Sequence, residues 1–251
     1  MSNGGFLLRN MCFRITPVCT TLAAGYSAGN ASNNHPSQYI KSTGTTFTVD
    51  YNFGSAKAMA GASIHNHNIP VTGSTVKMQF CNDGVTWAND ETFTVPAAVV
   101  TNGITRYPDM FKIFSVTRTY QYARVSVTVA AGTVQLGEIF IGYAWQFPDR
   151  NFHSSFRRIP TIDKSIVGNV VAGLSEHVDY AITFNGVSWT YAPQYEDVVR
   201  AKHVVFIPAF SNSECYHGLI TQTAFSEVNL DGASSWFGAA LSFQGSPVAT
   251  T

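Results

Sequence analysis

Charge is what this chain has least of. Only 12% of its 251 residues are Asp, Glu, Lys or Arg, and the formal net charge is zero. With no basic excess, no field is present to gather nucleic acid or an anionic membrane, so neither partner is expected. Apolar runs are short as well. None approaches the roughly 18 residues of a membrane-spanning helix, and Phe6-Leu7-Leu8, cut off by Arg9, is too short for the apolar part of a secretory signal. A soluble chain without membrane insertion is expected. Cysteine is scarce and scattered: Cys12, Cys19, Cys81 and Cys215 contain no CxxC pair. Reduced, buried thiols are the first reading, and a Cys12 to Cys19 bridge is its competitor.

Catalytic signatures are missing too. Phosphate loops and zinc spacings do not occur, so no enzyme, no metal and no cofactor is expected. Cys215 and His217 stand two apart, but a reactive thiol needs a nearby cation or helix start that the sequence does not supply. Glycoside hydrolysis needs two carboxylates across a cleft. The candidates Asp50, Asp83, Asp90, Glu91, Glu138, Asp179 and Glu227 sit mostly in turns or strands that already account for them.

Aromatic and β-branched residues are plentiful. Eighteen Phe and eleven Tyr, with many Thr, Ser, Val and Gly, suit half-buried strands joined by tight turns. Thr46 to Tyr51 alternates with Phe47, Val49 and Tyr51 on one face, and Lys57 to Ile64 reads as a second strand of small residues. A polar corner follows, His65-Asn66-His67-Asn68. On an extended chain the two histidines would share a side, as a metal requires, but no third ligand is near; the other reading is a hydrogen-bonded structural corner.

Val76, Met78 and Phe80 alternate with Lys77 and Gln79, and Asn82-Asp83-Gly84 turns the chain just before Trp87. Phe93 and Val95 mark the return, Pro96 to Thr105 a loop. Met110 to Val116 changes parity at Phe114, which predicts a bulge or a fold corner. Tyr122 to Val129 is the cleanest strand: Ala123, Val125, Val127 and Val129 on one face, Tyr122, Arg124, Ser126 and Thr128 on the other. Gly137 to Gly142 closes the unit.

Asp149 to Lys164 collects Arg150, Arg157, Arg158 and Lys164 and reads as a linker, or as a basic contact to a partner. Beyond it, Val178 to Phe184 alternates and runs into Asn185-Gly186, a hairpin signal. Pro193 to Lys202 is the one helix, with Tyr195, Val198, Val199 and Lys202 at helical spacing. Val204 to Ile207 reads as a buried strand, and three more strands end the chain.

A Tyr-x-Arg-Val strand at Tyr122 to Val125, a closing Gly-Glu-Ile-x-Ile-Gly at Gly137 to Gly142, and the Asn82-Asp83-Gly84-x-x-Trp87 hairpin resemble the discoidin (factor 5/8 type C, galactose-binding-like) jelly roll. With Ala62 to Ile69 in front of that hairpin, the pattern is similar to tailed-bacteriophage virion proteins carrying a discoidin-like module. The resemblance covers about 40–147 and implies a jelly-roll β-sandwich over 36–148; with the readings above, the chain is expected to be all-β, with an N-terminal arm over 1–35, a linker over 149–163 and a smaller β-rich domain with one short helix over 164–251.

The function it implies is structural. The chain would be a tail, baseplate or fibre-attachment component of a virion assembled in the host cytoplasm, held to other virion proteins and to copies of itself through protein-protein interfaces. The alternative is a carbohydrate-binding module for host surface glycan. For either, the expected contacts are Tyr122, Arg124, Ser126, Thr128, Trp87 and Trp189, with Trp145 and Trp236 as further aromatics that pack in a core or present a stacking face.

Overall fold

The computed structural model describes residues 4–101, 103–147, 152–167, 170–188, 192–201, 203–210, 215–230, 234–245 and 248–249. Over 101, 104, 152–167, 170–180, 184–188, 192–195, 199, 222–230, 234–240 and 248–249 it describes the backbone path alone. The first strands are β1 (Gly5–Leu8), β2 (Val18–Cys19), β3 (Ile40–Lys41), β4 (Thr46–Ile64), β5 (Thr75–Cys81) and β6 (Ala88–Thr92). Then come β7 (Val99–Thr101), β8 (Ile104–Arg106), β9 (Met110–Thr128), β10 (Gln135–Leu136) and β11 (Ile139–Gln146). The C-terminal part holds β12 (Phe152–Val167), β13 (Val170–Ser188), helix α1 (Ala192–Ala201), β14 (His203–Ile207), β15 (Tyr216–Leu230), β16 (Ser234–Gly245) and β17 (Val248–Ala249). Among the described residues the chain is almost all β: a β-sandwich unit, the jelly roll of the sequence reading, and a second β-rich unit with one α-helix.

Arg9–Ala144, with 212–215, is the jelly-roll unit. Two long strands organise it. The first half of β4 pairs with the second half of β9, from Thr46↔Thr128 to Asn52↔Tyr122. β5 pairs with the other edge of β9 from Thr75↔Thr128 to Cys81↔Tyr122, and β2 lies on the free side of β4. The β4–β9 register shifts between Asn52 and Lys57 and again between Met59 and Gly61. These bulges bend both strands, so that their other halves pair afresh and β11 joins them at Ile139↔Ile64 through Gly142↔Gly61. Where the sequence suggests two strands around Gly54, and two more before and after Val116, there is one bent strand each time.

Period-two alternation decides which side chains are enclosed. Phe47, Val49 and Tyr51, Val76, Met78 and Phe80, and Ala123, Val125 and Val127 share one core with Ala62, Ile64, Met110, Phe114, Ile139 and Ile141. Each such large side chain stabilises the fold by about 1.5–3 kcal/mol. Phe80 is the pivot, edge-on to Phe114 with centroids at 5.2 Å and stacked on Tyr120 at 5.7 Å. The loop expected over 96–105 holds the small hairpin β7–β8.

The second unit comprises 1–8, 145–211 and 216–251. Its strand order is β12-β13-β16-β15-β14-β1. The stretch read as an N-terminal arm therefore divides. β1 pairs with β14, Gly5↔Ile207 to Leu7↔Val205, and Phe6 and Leu8 sit in the core with Trp145, Phe147, Ile182, Val198, Val204, Phe206, Leu241 and Phe243. Phe6 stacks on Trp145 and meets Phe147 edge-on at 5.2 Å. A Cβ at Gly5 would lie 2.2 Å from the Trp145 carbonyl oxygen, so only glycine admits the neighbouring chain there. Residues 9–35 instead pack on the jelly roll: Thr20 N donates to Thr48 O and Ala23 N to Lys41 O.

Two further expectations change. The stretch read as a linker, 149–163, is mostly β12, paired with β13 from Phe152↔Phe184 to Val167↔Val170. Its arginines look like linker composition because an edge strand keeps charge to discourage further pairing. Asn185-Gly186 makes no hairpin. β13 runs through it with a register shift between Phe184 and Val187, a bulge being the other backbone feature that such residues serve. The helix lies one residue earlier than its sequence signal, over Ala192–Ala201, and no helix among the described residues is long and apolar enough to cross a membrane.

Candidate functional site

The outward faces of β4, β9 and β5 form a polar surface three strands wide. Arg124 stands opposite Asp50 on one side and Gln79 on the other. That register sets a bidentate ion pair: Arg124 Nε donates to Asp50 Oδ1 at 2.7 Å and Nη2 to Oδ2 at 2.6 Å. The Asp50 hydrogen bonds push the guanidinium above its ordinary value. Trp87 leans back over the strand, its ring centroid 4.1 Å from the guanidinium carbon, a cation–π contact that fixes both groups.

Around this stack the polar groups are tied in place. Asp90 accepts from Lys77 Nζ at 2.8 Å and Gln79 Nε2 at 2.9 Å, and the Lys77 bond leads in holding its carboxyl below the usual range. Asp83 accepts from the N–H groups of Thr86 and Val85, which pull it to about 2, and so shapes the turn that carries Trp87. An amide rim follows: Asn52 Nδ2 donates to Tyr122 Oη at 3.3 Å, Gln121 Nε2 to Asn52 Oδ1 at 3.3 Å, Gln121 N to Asn82 Oδ1 at 3.0 Å, and Asn89 Nδ2 to Tyr120 Oη at 2.9 Å. Val85, beside Trp87, is 78% exposed and adds an apolar tip.

Of the expected contact residues, Tyr122, Arg124 and Trp87 come together. Ser126 and Thr128 continue the same outward row, away from Trp87, opposite Thr48 and Thr46. Trp189 lies outside the described residues, as does the side chain of Trp236. Trp145 is buried in the second unit's core, which removes it as a stacking face. Sequence reading missed Asp50 and Gln79 as the partners that hold Arg124 in its row, and the amides at the rim. Period two places their side chains outward, but only pairing tells which strands adjoin.

The His65–Asn68 corner belongs to a different network, and a buried one. His65 Nδ1 lies 2.7 Å from Asp109 Oδ2, and Nε2 lies 2.7 Å from Ser63 Oγ. A carboxylate only accepts, so Nδ1 carries the hydrogen, and in the neutral ring Nε2 then accepts from the Ser63 hydroxyl. Ser, His and Asp are thus aligned as in a hydrolase, with Asn66 N bracing Asp109 at 2.9 Å. Ser63 and His65 have no exposed surface, and Ser63 is enclosed between Phe140 and Phe111 in the sheet. No substrate carbonyl reaches that hydroxyl.

His67 turns elsewhere. Ile69 N donates to its Nδ1 at 3.1 Å and its Nε2–H meets Pro108 O at 2.9 Å, while burial pushes it down to about 4. The two histidines do not converge, because the chain bends at Asn66, which has φ 49°. Asn66 donates to Pro36 O and Asn68 to Thr133 O, so the corner ties distant loops together. Among the described residues no group of His, Cys, Asp or Glu is placed to hold a metal ion. All four cysteines are free, so Cys12 and Cys19 form no bridge; burial raises both thiols, Cys19 to about 12. Cys215 and His217 are buried.

No family model matches the chain, and no curated protein matches it. Solved structures do show similarity. One is chitosan-binding module 1 from a chitosanase/glucanase of Paenibacillus sp. IK-5, with 21% identity over 53% of this chain and 98% of that one, at a TM-score of 0.39. Another is the family 32 carbohydrate-binding module from Clostridium perfringens NanJ in complex with galactose, with 12% identity over 54% and 98%, at 0.39. A third is the lectin domain of lectinolysin complexed with Lewis B antigen, with 12% identity over 53% and 95%, at 0.42.

Proposed function

We propose that the jelly-roll unit is a non-catalytic binding module that recognises a host surface glycan through the outward face of β4, β9 and β5. One observation carries this reading: Trp87 and Arg124 are stacked at 4.1 Å, with Arg124 locked by Asp50. A sugar presents hydroxyls around the edge of a ring whose faces carry C–H groups. Fixed amides and paired charges answer the hydroxyls, and an indole answers the C–H face. Holding these groups in place before binding lowers the ordering cost of association. No cofactor or metal takes part. A glycan array probed with the full chain and with Trp87→Ala is the test. Binding of a defined glycan that disappears in the variant is expected, and an array without any specific binding would sink the reading.

The length of the C-terminal strands favours a second role for the same chain. β12 and β13 run for 16 and 19 residues, against a usual 3–10. Such strands suit a structural component of a virion, a tail, baseplate or fibre-attachment protein that assembles with other virion proteins and with copies of itself and displays the jelly roll. Light scattering coupled to size exclusion tests this: a homo-oligomer is expected, and a monomer at micromolar concentration counts against it.

A further inference from the structure

Past Arg124 the outward row of β9 continues with Ser126 and Thr128. Thr48 and Thr46 lie opposite them on β4, and Lys77 and Thr75 on β5. All but Lys77 end in a hydroxyl, which both donates and accepts. Thr46, Thr75 and Thr128 are exposed and the other three half-buried, so the strip is open to solvent. From Arg124 to Thr128, at the usual rise per residue, it runs for about 13 Å, longer than one sugar ring. The cations at its border are already paired: Lys77 Nζ donates to Asp90 at 2.8 Å, and Arg124 to Asp50 at 2.7 and 2.6 Å. Thr48 extends the hydroxyls sideways, its Oγ1 lying 3.0 Å from that of Thr20.

The chemistry of the strip narrows what it can hold. A protein partner would bury an apolar centre, and none of these residues is a large apolar one. A charged polymer would need free counter-charges, and both cations are taken. A neutral chain of sugars presents hydroxyls in succession along its length. Each bond it forms here replaces a bond to water and gains little alone, so affinity has to accumulate over joined units. We propose that, given a glycan site at Trp87, this strip extends it into a lane for a linear, uncharged oligosaccharide, read over several joined units in place of a single terminal sugar.

Calorimetric titration of the full chain with malto-, cello- and N-acetylchito-oligosaccharides of one to six units tests the lane. For a series that binds, affinity should rise by about tenfold or more between one unit and four, and the double variant Ser126→Ala, Thr128→Val should lose most of that rise. Equal affinity for one unit and six, or a rise that survives in the variant, overturns the proposal. Tighter binding of oligogalacturonates of the same lengths overturns it as well. Where the array shows a short branched glycan bound and none of the linear series binds, the lane falls and the glycan site stands. Silence of the array and of every series removes both.

Discussion

The jelly roll carries two polar networks of similar chemistry and opposite setting. On the outward face, Lys77, Gln79 and Asp90 pair in the open and Asp50 and Arg124 pair half-buried, with Trp87 over Arg124. At the corner, Ser63, His65, Asp109, His67 and Glu138 pair inside the fold. Water separates their roles. Exposed pairs exchange one set of good partners for another and contribute little stability, so they are available for a ligand. Buried groups have no alternative partner, so each bond is obligatory, and burial shifts His67 down and Glu138 up. The Ser63–His65–Asp109 alignment shows that geometry without access is architecture.

Substitutions that attack the buried network should cost most. Gly137 N donates to both His65 O and Asn66 O, and a Cβ there would sit 2.5 Å from Pro36 O and 2.8 Å from His65 O. Gly137→Ala should therefore lower unfolding stability by about 3 kcal/mol in a urea titration. Asp109→Ala strands His65 Nδ1–H and Asn66 N–H, and about 2 kcal/mol should be lost; a change below about 0.5 kcal/mol would erase the contrast with the outward face.

Smaller is the pH effect, and it has two limbs. His67 falls from an ordinary 6.5 to about 4 in the fold. The unfolded chain then binds the extra proton, and stability is lost as pH drops from 6.5 toward 4. Glu138 rises from 4.5 to about 8. There the folded chain keeps the extra proton, and stability is lost as pH climbs from 4.5 toward 8. From these two groups alone, melting temperature should be highest between about pH 4.5 and 6.5. Glu138→Gln should flatten the alkaline limb only.

The outward face should barely register in stability. Arg124→Met should shift it by no more than about 1 kcal/mol while abolishing glycan binding. Lys77→Ala should leave the melting temperature unchanged, since the Lys77–Asp90 pair is solvent-exposed on both sides. A large stability loss from either would merge the two networks into one.

Much of the fold was legible in short stretches. Tyr122 to Val129 alternates so regularly that its two faces follow from the sequence, and the parity change at Phe114 lies where the β4–β9 register breaks. Asn82-Asp83-Gly84 is the turn it reads as. Local signals failed where one residue type serves two backbone features. Asn185-Gly186 promised a hairpin and made a bulge, and Arg157 and Arg158 suggested a linker where an edge strand runs. Half of the candidate site was visible, because Tyr122, Arg124 and Trp87 lie in motifs. Asp50, 74 residues from Arg124, and Asn52, 70 from Tyr122, lie in none.

By itself, the sequence determined the β class, the inward and outward parity of strands such as Tyr122 to Val129, and the turn at Asn82-Asp83-Gly84, because periodicity and turn chemistry act over a few neighbouring residues. Tertiary structure alone decided that residues 5–8 belong with the C-terminal strands, that Glu138 meets Asn10 across 128 residues, and that one polar network is enclosed while the other stays open. Strand pairing and burial are properties of contacts between segments far apart in the chain, and no local pattern encodes which segments will meet.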